Sequence, residues 1–154
     1  MTEKSAAIVG IHEYPDRLAP GKSACLASLD EPDTAPFWKS TAEHKLTYQV
    51  CAECDGIVFC PREHCVHCLS GELEWRESAG LGTLYTDSVV RDNRMPGFAE
   101  LVPYAVAYID LDEGFRMLTR LTNVDVDAVS IGTRVKVSWN EQGTVSLPEF
   151  EPVG

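Results

Sequence analysis

Two Cys-x-x-Cys pairs constrain this chain more than any other feature of its sequence. Cys51 and Cys54 form the first pair, Cys65 and Cys68 form the second, and ten residues separate the pairs. Each pair lets two thiolates converge from one tight turn, and two facing turns supply the four-sulfur tetrahedral shell that structural zinc prefers. The spacing therefore predicts a closed metal-binding knuckle built from these four cysteines.

Two other states of these cysteines remain open. A disulfide needs an oxidising compartment, but Met1–Ser5 is polar and charged rather than the start of an apolar signal segment. We therefore expect a cytoplasmic protein with structural zinc. Iron is the second alternative, because four thiolates also suit a redox iron centre, and the red colour of an iron protein would distinguish it from colourless zinc protein.

Other histidines and cysteines near the two pairs are alternative metal ligands to consider. His64 precedes Cys65 and could replace it in a three-cysteine, one-histidine site, whereas His67 is expected to point away from the metal. Outside the quartet, Cys60 is expected to act as a small apolar residue, and Cys25 lies in no recognisable nucleophile motif. The four cysteines of the two pairs remain the predicted ligands.

Composition excludes several classes of function. The chain has 154 residues, 44% of them apolar, which is enough for one compact domain or two small ones. Acidic residues outnumber basic ones 24 to 13, giving a formal net charge of −11. Nucleic-acid binding is disfavoured because it needs a positive footprint, and no segment is apolar enough to predict a membrane span.

Sequence patterns divide the chain into three parts. Residues 1–33 contain several prolines and predict an extended N-terminal arm. Residues 34–78 predict a short helix followed by the zinc ribbon, and residues 79–154 predict a barrel with a C-terminal tail. The helix is predicted over Thr34–Leu46, with Thr34 as its cap. Its aromatic pair, Phe37 and Trp38, is expected either to fill the core of this part or to anchor a partner.

Beyond Trp75 the apolar pattern changes to a period of two, which is typical of strands. The candidate strands are Leu81–Val90, Pro103–Leu111, Phe115–Leu121, Thr133–Glu141 and Thr144–Phe150. Asp112-Glu113-Gly114 and Gln142-Gly143 predict tight hairpins, and the glycines at 80 and 82 predict a bulge that bends the first strand. A mainly β fold with a five-stranded barrel of the oligonucleotide/oligosaccharide-binding (OB) type follows.

Several motifs in this order resemble one known family. They are Phe37-Trp38, Gln49-x-Cys51-x-x-Cys54, Pro61-Arg62-x-x-Cys65-x-x-Cys68, Trp75, Gly80-x-Gly82-x-x-Tyr85, Pro103-Tyr104 and Leu111-Asp112-Glu113-Gly114. Over about residues 34–140 the chain resembles the zinc-ribbon/OB-fold accessory proteins that partner thiolase-like enzymes, including thiolases, acyltransferases and steroid side-chain aldolases. The resemblance implies a rubredoxin-like ribbon, a following barrel, and a helper subunit for enzymes that handle acyl-CoA.

Catalysis by this chain alone is not indicated. A thiolase-type reaction needs an activated cysteine with a histidine and another base in one pocket, and the two remaining thiols have no such context. We therefore expect a hetero-oligomer in which acyl-CoA lies at the interface with a thiolase-like subunit and in which this chain shapes the pocket for aldol or thiolytic chemistry. Candidate contacts to the ligand or partner are Phe37, Trp38, Arg91, Arg94, Phe98, Arg116 and Arg120. The alternatives are a stand-alone module for single-stranded nucleic acid and a rubredoxin-like electron carrier.

Overall fold

The computed structural model describes residues 31–95, 97–142 and 145–154. The predicted arm therefore lies outside the described residues except for residues 31–33. In chain order the elements are helix α1 (Ala35–Ala42) and strands β1 (Thr47–Cys51), β2 (Ile57–Val58), β3 (Leu73–Glu77), β4 (Leu81–Val90), β5 (Tyr104–Leu111), β6 (Arg116–Leu121), β7 (Arg134–Gln142) and β8 (Val145–Pro152). No helix in these ranges is long and apolar enough to cross a membrane.

Two sheets form the architecture. The ribbon is a three-stranded antiparallel sheet in the order β2-β1-β3. The second sheet is a closed barrel in the order β4-β5-β6-β8-β7, antiparallel except for the β6–β8 closure, where Leu121 pairs with Phe150. The predicted mainly β fold, with a ribbon before a five-stranded barrel, is confirmed.

Helix α1 is shorter than predicted. It ends at Ala42 rather than Leu46, because the chain turns at His44, which has a φ of 59°, and the Glu43 N–H donates to the Ser40 carbonyl. Leu46 is 2% exposed and leads directly into β1. Burial of the Leu46 side chain in the core therefore ends the helix earlier than the sequence pattern of residues 34–46 predicts.

The bulge in the first barrel strand is also displaced from its predicted position. Its register against β5 shifts between Leu84 and Thr86, so that Tyr85 is the extra residue. Gly82 serves a different purpose: a Cβ there would lie 2.6 Å from the Asp110 carbonyl oxygen. Glycine is needed at position 82 because two backbones approach closely, not because the strand bulges.

The predicted hairpin between β5 and β6 is confirmed. The Gly114 N–H donates to the Leu111 carbonyl at 2.9 Å, and Gly114 has a φ of 100°, which favours glycine. In the second predicted hairpin, β7 and β8 pair up to Gln142 opposite Val145, and the residues between them lie outside the described ranges.

Aromatic rings join the ribbon to the barrel. Phe115, immediately before β6, has its ring centroid 4.6 Å from that of Phe59 and 5.1 Å from that of Tyr48 in the ribbon. Phe37 of α1 extends the cluster, at 6.1 Å from Phe59, and is 6% exposed. Of the two roles considered for Phe37, the structure shows core packing.

Candidate metal centre and apolar groove

The four cysteines of the two pairs meet at one point. Their sulfur atoms all lie within 4.8 Å of one another. The Sγ atoms of Cys51 and Cys68 are 3.5 Å apart, and those of Cys54 and Cys65 are 3.7 Å apart. A tetrahedral zinc ion with Zn–S bonds of about 2.3 Å sets its sulfurs about 3.8 Å apart. The donor set and its spacing therefore fit a four-thiolate metal ion.

The two knuckles share one backbone geometry. The N–H of the fourth residue after each leading cysteine donates to that cysteine's carbonyl: Asp55 to Cys51 at 2.9 Å, and Leu69 to Cys65 at 3.0 Å. Asp55 and Leu69 both have positive φ values, 56° and 65°. Each turn is thereby tight enough to direct two thiolates to one side.

The close contact between the four sulfurs makes their simultaneous ionisation unfavourable. Burial opposes the Cys65 thiolate, but the N–H groups of His67 and Cys68 stabilise it and lower its pKa to about 6. The Gly56 N–H favours the Cys54 thiolate, but contact with the sulfur of Cys68 and with the other two cysteines raises the pKa of Cys54 to about 12. Because like charges this close disfavour ionisation, a divalent ion is what allows all four thiolates to form.

The neighbouring histidines lie outside the sulfur cluster. His67 Nε2 is 3.2 Å from the Ile57 carbonyl oxygen, to which it can only donate. Among the described residues, the group that could hold a metal contains the four cysteines and neither His64 nor His67. Cys60 is exposed and also lies outside the cluster. The arrangement favours the four-cysteine site over the alternative with His64 as a ligand.

An apolar groove of about 270 Å³ lies where α1, the segment before β5, and strands β6 and β8 meet. Its lining consists of Phe37, Trp38, Phe98, Leu101, Met117, Leu118, Thr119, Arg120, Asn140, Leu147, Pro148 and Glu149. Four of the seven predicted contact residues are thus brought together here: Phe37, Trp38, Phe98 and Arg120. These four residues therefore share one concave apolar surface.

The arginines of β6 are engaged within the chain. Arg120 binds Glu149 through two hydrogen bonds of 2.9 and 3.0 Å, and Glu149 is 7% exposed. Arg116 binds Asp110 at 2.6 and 3.0 Å, and its guanidinium carbon lies 3.4 Å from the centre of the Tyr85 ring. Both guanidinium groups form bidentate pairs with carboxylates, an arrangement with strong, directional hydrogen bonds. Their contact with a phosphate or a partner stays a prediction.

The other two predicted arginines are placed elsewhere. Arg91 pairs with Asp127, and Arg94 Nε lies 3.8 Å from Asp92 while its side chain is 92% exposed. Neither is among the residues that line the groove. The structure therefore separates Arg91 and Arg94 from the four predicted contact residues that meet at the groove.

Leu118 lines the groove but is not among the contact residues predicted from the sequence. Leu118 lies between Arg116 and Arg120 on β6, shares their outward face and is 59% exposed although it is apolar. A leucine at an outward position of an alternating strand is the signal that could have identified it. Its neighbours in the groove lining, Leu147 and Pro148, lie on β8 and reach it through the closure of the barrel.

We expect acid to weaken the barrel through Asp110 and Asp112. Hydrogen bonds from Arg116 and Arg134 hold the pKa of these carboxyls below their ordinary value. This stabilisation is present above the unfolded pKa of about 3.9 and is lost as pH falls through the folded pKa values. Urea midpoints at about pH 6 and pH 3 measure the effect. A double variant, D110N/D112N, should lose less stability between these pH values than the unmodified chain, and an equal loss would contradict this origin.

Comparison with known proteins supports the assignment of both parts. Residues 38–74 match the family model described as ChsH2, rubredoxin-like zinc ribbon domain, and residues 75–140 match ChsH2, C-terminal OB-fold domain. A solved structure described as "Ltp2-ChsH2(DUF35) aldolase" is 31% identical, with a TM-score of 0.74 over 82% of this chain and 98% of that chain. This chain belongs to the ChsH2-type DUF35 family.

Three similar curated proteins carry two kinds of name. A Pyrococcus furiosus protein described as a DUF35 domain-containing scaffold protein is 30% identical over 119 residues, covering 77% of this chain and 82% of the relative. The 3-oxo-4,17-pregnadiene-20-carboxyl-CoA hydratase alpha subunit of Mycobacterium tuberculosis is 32% identical over 139 residues, or 90% of this chain. The chain spans 43% of that subunit, and 37% of a probable enoyl-CoA hydratase alpha subunit from Thermomonospora curvata that is 33% identical over 78% of this chain.

Proposed function

We propose that this chain is a noncatalytic zinc-binding subunit of a thiolase-like complex that acts on acyl-CoA. Its role is to shape the acyl-CoA pocket of a cytoplasmic hetero-oligomer that cleaves or forms carbon–carbon bonds by aldol or thiolytic chemistry. The observation that carries the proposal is the match to the Ltp2-ChsH2(DUF35) aldolase over nearly the whole of that chain. The scaffold name of one relative agrees with a supporting role, and the hydratase subunit name of another agrees with a place in an enzyme complex that handles a CoA ester.

The described thiols support assigning catalysis to another subunit. Thiolase-type chemistry needs a cysteine nucleophile activated by a histidine within hydrogen-bond distance. Four of the described cysteines are gathered in the metal site, and the fifth, Cys60, lies exposed on the surface of the ribbon. A four-thiolate zinc site has no open coordination position, so zinc would cross-link the ribbon rather than activate a substrate.

The groove supports a shared acyl-CoA pocket. Its volume of about 270 Å³ is just below the range of ligand sites, which typically enclose about 300–1,000 Å³. It is also open to solvent, so that a second protein surface could complete it. The groove offers apolar and aromatic walls to an acyl group. Its charged lining residues, Arg120 and Glu149, are hydrogen-bonded to each other.

Replacing Phe98 tests the role of the groove. In the complex with the thiolase-like subunit, Phe98→Ala should raise the KM for acyl-CoA by about 10-fold, since about 1.5 kcal/mol of apolar burial is lost. Phe98 lies in the segment between β4 and β5, outside the strands of the barrel, so the fold should persist. Ile131→Ala, at a 71% exposed position outside the groove lining, is the control and should leave KM unchanged.

Association itself is tested by size-exclusion chromatography with light scattering on the two purified subunits. We expect a stable complex of defined stoichiometry, with full activity only when both are present. Separate elution of the two proteins, together with undiminished activity of the thiolase-like subunit alone, would refute the proposed role.

A further inference from the structure

Three exposed apolar side chains lie side by side on the outside of the barrel. Tyr108 of β5 is paired with Leu118 of β6, and on its other side it faces Thr86, the neighbour of the bulged Tyr85. The exposed fractions of Tyr85, Tyr108 and Leu118 are 49%, 43% and 59%. Together with Arg116, which covers the Tyr85 ring, they form what we call the outer-face patch.

The bulge helps to create this surface. An extra residue in β4 changes the alternation of that strand and places Tyr85 where the Arg116 guanidinium can lie over its ring at 3.4 Å. Cation–π contact with Tyr85 and the bidentate bond to Asp110 together restrict the arginine side chain. The patch is therefore a preorganised surface that loses little side-chain entropy on binding.

The charged groups in and beside the outer-face patch are paired with one another. Its own cation, Arg116, is neutralised by Asp110. On its two sides, Arg120 pairs with Glu149 and Arg134 with Asp112. The patch is thus electrically balanced in a chain with a formal net charge of −11. A balanced surface rich in tyrosine with one arginine has the composition of a protein–protein interface core.

The patch is also continuous with the groove. Leu118 belongs to both surfaces, since it lines the groove and pairs with Tyr108 on the outer face of the sheet. Single exposed apolar residues need no explanation, but a contiguous set that leads into an apolar groove does. One protein that covered the outer-face patch would therefore also close the open side of the groove.

We infer that the outer-face patch is the docking surface for a neutral, apolar face of the thiolase-like subunit. This inference rests on the proposed function and extends it, because it assigns the contact to the outer faces of β4, β5 and β6. A polyanion is a poorer occupant, since the arginines already hold carboxylates and the chain is acidic. A second copy of the chain is the other occupant to test, and the net charge of −11 on each copy opposes its association at low salt.

Leu118 supplies the test, because its side chain is largely exposed and both signs of charge can be introduced there. The dissociation constant for the purified thiolase-like subunit is measured by calorimetry for the unmodified chain, Leu118→Asp and Leu118→Lys. Both variants should bind at least 10-fold more weakly, because either charge would be buried at the interface. Ile131→Asp, at another exposed apolar position, should bind as the unmodified chain does.

The salt dependence gives a second readout. A neutral apolar interface should change its dissociation constant by less than about threefold between 0.05 and 0.5 M NaCl. Steep weakening by salt, or weakening by aspartate but not by lysine, would overturn the inference in favour of an electrostatic contact. Circular dichroism must show that both variants are folded.

The outcomes separate this inference from the proposed function. If the unmodified chain does not bind the thiolase-like subunit, the proposed function fails. If it binds and both folded Leu118 variants bind equally well, the subunit role stands and the docking surface is wrong. Analytical ultracentrifugation of the chain alone should show monomers, and a dimer abolished by Leu118→Asp would instead assign the outer-face patch to a second copy.

Discussion

Replacing Cys65 with serine is expected to release the metal ion and to unfold the ribbon. The buried core of the knuckle consists of Cys51, Val58 and Cys65, with Leu73 packed against it. A core in which two of three buried residues are metal ligands cannot persist on apolar burial alone. Structural zinc contributes about 10–16 kcal/mol to the folding of small zinc domains, far more than such a core can replace.

Elemental analysis and hydrogen exchange measure this effect. The unmodified chain should contain one zinc ion and protect the amides of β1 and β3, whereas Cys65→Ser should contain far less zinc and lose that protection. The matched control is Cys60→Ser, which removes an exposed thiol of the ribbon outside the cluster and should keep both metal and protection. Retention of the ribbon fold in metal-free Cys65→Ser would show that the ion is not what stabilises it. Iron rather than zinc in freshly purified protein would instead favour the alternative function of a rubredoxin-like electron carrier.

Truncation of Phe115 to alanine should destabilise the whole chain by about 3–5 kcal/mol. Phe115 belongs to the barrel, but its ring packs on Tyr48 and Phe59 of the ribbon and is 7% exposed. Its loss leaves a cavity between the two sheets that rigid strands on both sides cannot fill. Because this contact couples the two sheets, we expect Phe115→Ala to separate their unfolding transitions. For the same reason, removing the metal ion from the unmodified chain with a chelator should also destabilise the barrel.

Urea unfolding followed by hydrogen exchange tests this coupling. In the unmodified chain, the amides of β1 and of β5 should lose protection together, and in Phe115→Ala the β1 amides should lose it at lower urea. Phe98→Ala is another aromatic truncation, but at a half-buried position outside the strands. It should lower the free energy of unfolding much less than Phe115→Ala does. A change below about 1 kcal/mol for Phe115→Ala would mean that the ribbon and barrel pack independently.

The cysteine turns of the metal cluster and the strands and hairpin of the barrel were predictable because they depend on local patterns. Each Cys-x-x-Cys spacing lets one tight turn direct two sulfurs to the same side, so two facing turns can supply one ion. Alternation along β5 and β6, with Gly114 between them, indicates a hairpin without reference to distant residues. The Arg116–Asp110 pair also follows from that hairpin, because these residues lie opposite each other in its register.

The remaining features depend on long-range packing. The end of α1 is decided by the burial of Leu46, and the position of the bulge by register against β5. Arg120 meets Glu149 only because the barrel closes between β6 and β8, which are 29 residues apart at this contact. The groove arises in the same way, since α1 and β8 are far apart in sequence. Periodicity carries no information about such juxtapositions.

The most direct test of the central claim is a reconstitution assay with three samples: this chain alone, the thiolase-like subunit alone, and the two together. Turnover of acyl-CoA by carbon–carbon bond cleavage is measured in each. We predict no turnover by this chain, little by its partner, and full turnover by the complex, with the Michaelis constant for acyl-CoA sensitive to Phe98. Full turnover by either protein in isolation would contradict the claim that this subunit completes an active site on another chain.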